Sequence, residues 1–487
     1  MASDPASAAR APRLAAMTTS AANSPAGTGR HIVAFTGAVP ADFAAQVTSL
    51  GGTVLWASPE AGLAAVSGLG GSGATALASR QGVQEVDEDA NIPLDVPLLA
   101  TEGATDAGGV ESNANPAGAV RYPRQWNMRA VQADAAWAHG FLGSSSVTIY
   151  MLDTGIDYLH SDLVGRVDLT KSVDLTGTFL ARVIVGKDTT FVPFTEADTV
   201  KKYFPTRAVF TDLFFHGTHT GATVSSNAVR LAGITSGTTL VAVKVCGYIN
   251  ACPFSSILNG ILYAAANGAD VVNMSLGGAF TKAGNGRFVG LLNKVFNFAR
   301  SGGVTVVVSA GNSAADLDHD RNTYWTFCNT PAVICVAATG PTSDANAFNT
   351  NANLVRNGPW TNVDAPAYYT NFGRSAINVA APGGNSSFGP PLTAPAGRDV
   401  FVWAACSQTS RIVIGCSNIS ILGAQGTSMA APHVSGTAAL LVSILGRDPS
   451  QIKTRIQQSA DNVAGNGTTP FYGKGRLNVA RAVGAIP

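Results

Sequence analysis

From Val147 onward the chain alternates short apolar runs with helical segments, and that alternation leaves few folds open. Val147–Leu152 is almost continuously apolar, as expected of a strand buried on both faces of a parallel sheet. Leu240–Val245 is a second such run, broken only by Lys244. Ser255–Asn267 places Ile257, Leu258, Ile261 and Leu262 on one helical face; Gly268 ends it and Asp270–Met274 reads as the next strand. Phe288–Arg300, closed by Gly302 and Gly303, and the strand Val304–Val308 repeat the unit. Ala332–Ala337 and Ile377–Ala380 add further strands. The pattern predicts an α/β fold, a parallel sheet with helices on both faces. Val131–His139 reads as a short helix ahead of it, and Thr437–Leu445 as a buried helix near its end. Three polar stretches, at about 175–213, 312–330 and 341–372, read as long surface loops.

The chain ahead of this pattern divides in three. Residues 1–29 are rich in Ala, Ser and Pro and are predicted to be disordered. Residues 30–94 follow the order strand His31–Phe35, helix Ala41–Leu50, strands Thr53–Trp56 and Gly62–Val66, helix Ser72–Ser79, strand Val83–Val86. That β-α-β-β-α-β order predicts a small α+β, ferredoxin-like unit. Residues 95–121 carry Gly, Ala, Asn and Pro with few large apolar groups and read as a linker. The main unit then occupies 122–487.

Composition narrows the partners. The formal net charge is +1, so no basic surface and no nucleic-acid partner is expected. No apolar run approaches the roughly 20 residues that cross a bilayer, so no membrane span is expected. The six cysteines form three close pairs, Cys246/Cys252, Cys328/Cys335 and Cys406/Cys416, none with zinc or redox C-x-x-C spacing. Three local disulfides and an oxidising compartment are expected, although other pairings, or six buried thiols, fit the same spacing. Residues 1–29 do not read as a secretory signal: Arg10 and Arg13 are followed by no sustained apolar stretch.

In open α/β sheets chemistry gathers at the carboxyl ends of the strands. Asp153 directly follows the strand 147–152, where a carboxylate can hold an imidazole in one tautomer. It could equally be a turn residue. Asp153-Thr154-Gly155 also matches the pepsin-type aspartic proteases, but those need a second such motif, which the chain lacks. His216 and His219 open a helix three residues apart. They could share a metal, yet the Glu of His-Glu-x-x-His and a third ligand are missing, so a general base with a packed neighbour is the better reading. Ser309-Ala310-Gly311 ends a strand and projects Asn312, a neutral amide able to stabilise an oxyanion or simply to make a turn. Ser428, in Gly426-Thr427-Ser428-Met429-Ala430-Ala431-Pro432, sits where a helix begins. It reads either as a cap or as a nucleophile needing a base.

Taken in the order Asp, His, Asn, Ser, these motifs resemble the subtilisin-like serine peptidases, whose triad is known to run Asp, His, Ser. The resemblance covers roughly residues 122–484 and includes Ser275-Leu276-Gly277-Gly278 and Tyr472-Gly473-Lys474-Gly475-Arg476-Leu477-Asn478-Val479. It implies a subtilisin-like sheet and a serine endopeptidase with Ser428 as nucleophile, His216 as base and acid, Asp153 orienting His216, and Asn312 with the Ser428 N–H as oxyanion hole. It implies that Ser275, Leu276 and Gly277 pair with substrate backbone, and that Ser309, Ala310 and Gly311 wall the adjoining pocket. Residues 30–94 resemble the family's inhibitory propeptide, which makes the chain a secreted zymogen, a monomer acting on peptides and proteins, processed in 95–121. No cofactor is needed for the chemistry. Asp162 matches a calcium-ligand position, but the segment after His219 is too short for the family's usual calcium loop, and Asp162 reads equally as a turn residue.

Two other classes compete with this reading. Gly426-x-Ser428-x-Ala430 is close to the Gly-x-Ser-x-Gly elbow of esterases and lipases, but there the order is Ser, Asp, His. A non-catalytic binding protein on the same fold would not retain every reacting residue.

Overall fold

The computed structural model describes residues 29–94, 99–102, 114–185, 188–249, 251–283, 286–325, 327–341, 343–344, 360–385 and 400–487. Most of the expected processing region 95–121, nearly all of 1–29 and much of 341–372 lie outside the described residues.

The N-terminal unit runs β1 (Arg30–Phe35), α1 (Phe43–Ser49), β2 (Thr53–Ser58), β3 (Leu63–Ser67), α2 (Gly71–Ala78) and β4 (Val83–Glu88). Its sheet has the order β2-β3-β1-β4 with antiparallel pairings. Val33, Phe35, Phe43, Val47, Val66 and Leu77 form its own core. Two short strands follow, β5 (Asn91–Ile92) and β6 (Leu99–Glu102). The second falls inside the stretch read as a linker.

Next come α3 (Trp126–Ala130) and α4 (Ala133–Ala138). The helix expected over 131–139 is α4, which starts at Ala133 because Gln132, with φ 55°, breaks the helical path after α3. The main unit continues with β7 (Thr148–Asp153), β8 (Val173–Asp174), a hairpin of β9 (Thr178–Val185) and β10 (Asp188–Thr195), α5 (Glu196–Tyr203) and α6 (His216–Val224). The stretch 175–213 is therefore not a loop but an inserted antiparallel hairpin and helix. Thr195 caps α5, accepting from Asp198 N.

Beyond lie β11 (Thr239–Lys244), β12 (Cys252–Pro253), α7 (Phe254–Ala266), β13 (Val271–Met274), β14 (Phe280–Thr281), α8 (Gly286–Ser301), β15 (Thr305–Ser309), β16 (Thr323–Tyr324) and β17 (Val333–Thr339). The chain ends with β18 (Ser343–Asp344), β19 (Trp360–Thr361), β20 (Val379–Pro382), β21 (Val402–Ala405), β22 (Ile421–Ala424), α9 (Thr427–Leu445), α10 (Pro449–Gln458) and α11 (Val479–Val483). The main sheet has seven strands in the order β20-β17-β15-β13-β7-β11-β8, all parallel.

Side-chain parity shows how both faces are covered, since successive residues of a strand point to opposite faces. Tyr150, Leu152, Val241, Val243, Val272, Met274, Val306 and Val308 share one apolar cluster with Ile257, Leu258 and Ile261 of α7 and Leu291, Leu292 and Val295 of α8. The intervening Ile149, Met151, Leu240, Ala242, Val271 and Val307 share another with Val434, Ala438 and Leu441 of α9 and Ile452 and Ile456 of α10. α9 spans 19 residues and would be long and apolar enough for a membrane span by those criteria alone. It is instead the core helix on this face, buried from Thr427 to Val442.

Candidate active site

Asp153 is the last residue of β7, at the carboxyl end of a central strand, and is fully buried. Its carboxylate accepts from His216 Nδ1 at 2.8 Å, Thr154 N at 2.8 Å and Thr220 Oγ1 at 3.1 Å. With Nδ1–H committed to Asp153, His216 carries its basic lone pair on Nε2. His216 opens α6, and the helix is tied down at that end by Gly217 N donating to Thr154 Oγ1 at 2.9 Å.

A second buried carboxylate, Asp212, organises the same turn. It accepts from Thr154 Oγ1, Phe214 N and Phe215 N on Oδ1, and from Thr218 N and Thr218 Oγ1 on Oδ2, all between 2.7 and 3.0 Å. Burial pushes its pKa up to about 6, and these hydrogen bonds pull against that shift. Phe215, held by one of them, has a strained φ of 153° immediately before His216.

His219 points elsewhere. Its Nε2 donates to the carbonyls of Val402 and Leu422, each at 3.1 Å, so it ties α6 to the sheet edge β21–β22. Burial, with His216 nearby, drives its pKa down to about 3. Among the described residues no cluster of three or more His, Cys, Asp or Glu side chains could hold a metal ion.

Ser428 lies in the first turn of α9, where backbone N–H groups have no helical acceptor. Gly426, with φ 155°, turns the chain into the helix. Thr427 N and Thr427 Oγ1 both donate to Asn312 Oδ1, at 2.8 and 2.9 Å, and Gly311 N donates to Thr427 Oγ1 at 2.9 Å. The amide of Asn312 is thereby oriented, with Nδ2 as its other end. Pro432, four residues after Ser428, has no N–H for the Ser428 carbonyl. That carbonyl accepts instead from Ser275 Oγ at 2.8 Å, and Ser428 Oγ donates to the Ser275 carbonyl at 3.0 Å. Ser275 Oγ in turn accepts from Asn273 Nδ2, and Ser435 Oγ donates to Asn273 Oδ1. The end of β13 and the start of α9 are thus locked together.

A profile described as "Subtilase family" matches residues 144–475. The chain belongs to the subtilase family. It is 28% identical to thermitase of Thermoactinomyces vulgaris over 363 residues, 74% of this chain and 96% of the relative. It is 26% identical to subtilisin DY of Bacillus licheniformis over 360 residues, 73% of this chain and 97% of the relative. In fold it is similar to the epidermin leader peptide processing serine protease of Staphylococcus aureus, with TM-score 0.67, 20% identity, and 93% and 97% of the two chains covered. Fervidolysin of Fervidobacterium pennivorans, described as a keratinolytic enzyme related to subtilisin, gives TM-score 0.65 at 20% identity, covering 94% of this chain and 61% of that one. As a subtilase close to these relatives over its main unit, the chain is a serine endopeptidase.

The remaining expected residues of this subtilase fall around the same site. Ser275, Leu276 and Gly277 follow β13; Leu276 shares the apolar cluster that holds Ile92 and Leu94 of the N-terminal segment. Ser309 ends β15 and Ala310 and Gly311 follow it; Gly311, at φ 94°, lies so close to Asn371 that an added Cβ would sit 2.5 Å from its Nδ2. The cysteines pair locally as Cys246–Cys252, Cys328–Cys335 and Cys406–Cys416.

Asp162 does not fit a calcium ion. Its buried carboxylate accepts from Val229 N at 2.9 Å, Arg230 N at 2.7 Å and Leu231 N at 3.2 Å. Three N–H dipoles present their positive ends to the carboxylate, as a cation would, and the short segment after His219 supplies them. Sequence reading missed Asp212, Asn273, Thr154, Thr220 and Thr427. Their signal was adjacency: each lies within four residues of a residue already singled out.

Proposed function

We propose that this chain is a secreted serine endopeptidase made as a zymogen, with residues 30–94 as its inhibitory propeptide. The observation that carries the reading is strand β5. Asn91 and Ile92 pair antiparallel with Pro253 and Cys252 of β12, as an extended peptide adds to an exposed strand. Ile92 lies over Gly278, where an added Cβ would come within 2.3 Å of its Cγ2. Further along, β6 pairs with β22, just before the Gly426 turn that leads to Ser428. The N-terminal chain is thus held at two edges of the site, and the bond cut in maturation falls between Ile92 and Leu99.

The chemistry is acyl transfer. Ser428 Oγ exchanges its hydrogen bond to Ser275 for one to His216 Nε2, which takes the proton as Oγ attacks the peptide carbonyl. Asn312 Nδ2 and the Ser428 N–H stabilise the oxyanion. His216 then protonates the leaving amine, and water releases the acyl group from Ser428 by the same steps in reverse. Asp153 holds the tautomer and stabilises the imidazolium. No cofactor takes part. The three disulfides support export to an oxidising compartment, and the substrates are peptides and proteins.

Intact mass over time, beside Ser428→Ala, tests the reading. Wild type is expected to lose its N-terminal segment with a new terminus between residues 93 and 99, and to react with an active-site serine probe. The mutant is expected to stay whole and unlabelled. A Ser428→Ala chain that still matures and cuts peptides would sink it.

A further inference from the structure

Arg30, the first residue of β1, is 3% exposed, although it is a cation on a small unit that would be cut away. Its acceptors lie in the other unit. The guanidinium donates to Thr176 O at 2.5 Å, Thr178 O at 2.6 Å and Ser256 Oγ at 3.2 Å, and lies 5.9 Å from the Phe179 ring centroid. The carboxylates of Asp89 and Asp174 add favourable charge. Two carbonyls, a hydroxyl, an aromatic face and two nearby acids suit a planar, multi-donor guanidinium better than an ammonium.

The catalytic side of this contact is firmly built. Asp174 Oδ1 accepts from Thr176 N at 2.9 Å and Thr176 Oγ1 at 2.6 Å, fixing the turn that presents the carbonyls. β8 pairs with β11 in the main sheet. The inserted helix is anchored by the buried pair Glu196–Lys244 at 2.7 Å, with Lys244 Nζ also donating to Thr211 O. Beside Arg30, Asp89 accepts from Ser255 N at 2.8 Å and Ser255 Oγ at 2.6 Å, so the two residues grip the first turn of α7 together.

We propose that the base of the inserted hairpin, Thr176 to Phe179 with Ser256, is a guanidinium-recognition site whose ligand is Arg30 of the chain's own N-terminal unit, and that it sets how long the unit stays bound after cleavage. The lifetime part rests on the zymogen reading; the docking part does not. Truncating one partner of a buried, hydrogen-bonded charge contact acts mainly on dissociation.

The test uses the full chain as wild type, Arg30→Ala, Arg30→Lys and Ser256→Ala. After self-cleavage, co-elution of the fragment with the catalytic unit and the onset of peptidase activity are followed. Release is expected to quicken about 100-fold in Arg30→Ala, and by intermediate factors in Arg30→Lys and Ser256→Ala. Equal retention in wild type and Arg30→Ala would overturn the proposal. In the uncut Ser428→Ala background, hydrogen exchange at 30–35 and 176–179 should quicken about tenfold or more in Arg30→Ala, while 271–274 stays protected. Unchanged exchange at 176–179 would also overturn it. Should Arg30→Ala lose protection at 271–274 as well, Ser256→Ala decides, by faster or unchanged exchange at 30–35. A wild type that never clips refutes the zymogen reading, and the exchange arm still decides docking.

Discussion

Ser428 and Ser275 hydrogen-bond to each other in both directions, hydroxyl to carbonyl at 3.0 Å and carbonyl to hydroxyl at 2.8 Å. The second bond exists because Pro432 leaves the Ser428 carbonyl without a helical donor. Ser275→Ala removes that donor and strands a buried carbonyl, which costs about 1–3 kcal/mol. Lower thermal stability and a several-fold fall in kcat are expected, with KM little changed. Adding Pro432→Ala to Ser275→Ala, which gives the stranded carbonyl a helical N–H in place of the lost hydroxyl, separates the two effects: the double variant should recover stability and still show the lower kcat. Equal kcat in all three chains would show that this lock does not position the nucleophile.

Asn312 and Thr427 supply a second test. Losing the matching asparagine in subtilisin costs ~10²–10³ in kcat, a value known for that enzyme and expected to carry over to Asn312→Ala here. Thr427→Val keeps Asn312 but removes the hydroxyl that both donates to Oδ1 and accepts from Gly311 N. A smaller loss, about tenfold, is expected from a less firmly oriented amide. Steady-state kinetics on a peptide substrate checks both. A Thr427→Val loss as large as that of Asn312→Ala would mean that Thr427 contributes more than orientation.

Asp212 faces five donors and no acceptor among its bonds to Thr154, Phe214, Phe215 and Thr218. Asp212→Asn sets an NH2 group against at least one of those donors and relaxes the strained Phe215 before His216. A stability loss of about 2–4 kcal/mol is expected, as for other broken buried networks. Activity should fall about tenfold or more, because the turn that aims His216 is loosened. Urea unfolding in the Ser428→Ala background and kcat in the active chain report the two separately. Unchanged kcat despite lower stability would confine Asp212 to a structural role.

What sequence could reveal here was governed by range. The strands β7, β11, β13, β15 and β17 were legible because burial on both faces makes nearly continuous apolar runs. The hairpin β9–β10 was missed although Thr178–Val185 and Asp188–Thr195 are rich in β-branched and aromatic residues around Gly186-Lys187. The polar residues flanking it set the reading for the whole stretch. Strand β6 exists through its pairing with β22, more than 300 residues away, and a short run such as Leu99-Ala-Thr-Glu102 announces no such partner. Asp162 matched a calcium position by motif, yet its environment is set by the backbone of 229–231, whose conformation no side-chain pattern records. The docking of Arg30 left no signal in the sequence, because two of its acceptors are backbone carbonyls, which every sequence contains.

The buried histidines predict an acid-sensitive fold. Burial holds His219 at about 3 and His433 at about 4, against 6.5 when unfolded. Between those values the unfolded chain binds protons that the folded chain does not, so stability falls as pH drops below 6.5. Asp212 works the other way: raised from 3.8 to about 6, it takes a proton in the folded state first, and below pH 6 it offsets one of the two histidines. For these three groups alone the balance at pH 5 is about two pKa units, or ~3 kcal/mol less stability than at pH 7. The carboxyls of Asp162 and Glu196, also raised by burial, act in the same direction as Asp212 and take back part of it. Urea midpoints of the Ser428→Ala chain, which cannot digest itself under the proposed mechanism, should show this. Comparing His433→Gln with that chain isolates one histidine: the gap between pH 5 and pH 7 should shrink by ~2 kcal/mol. A midpoint that stays level or rises toward pH 5 would mean that these imidazoles take up protons in the folded state and are not held neutral by burial.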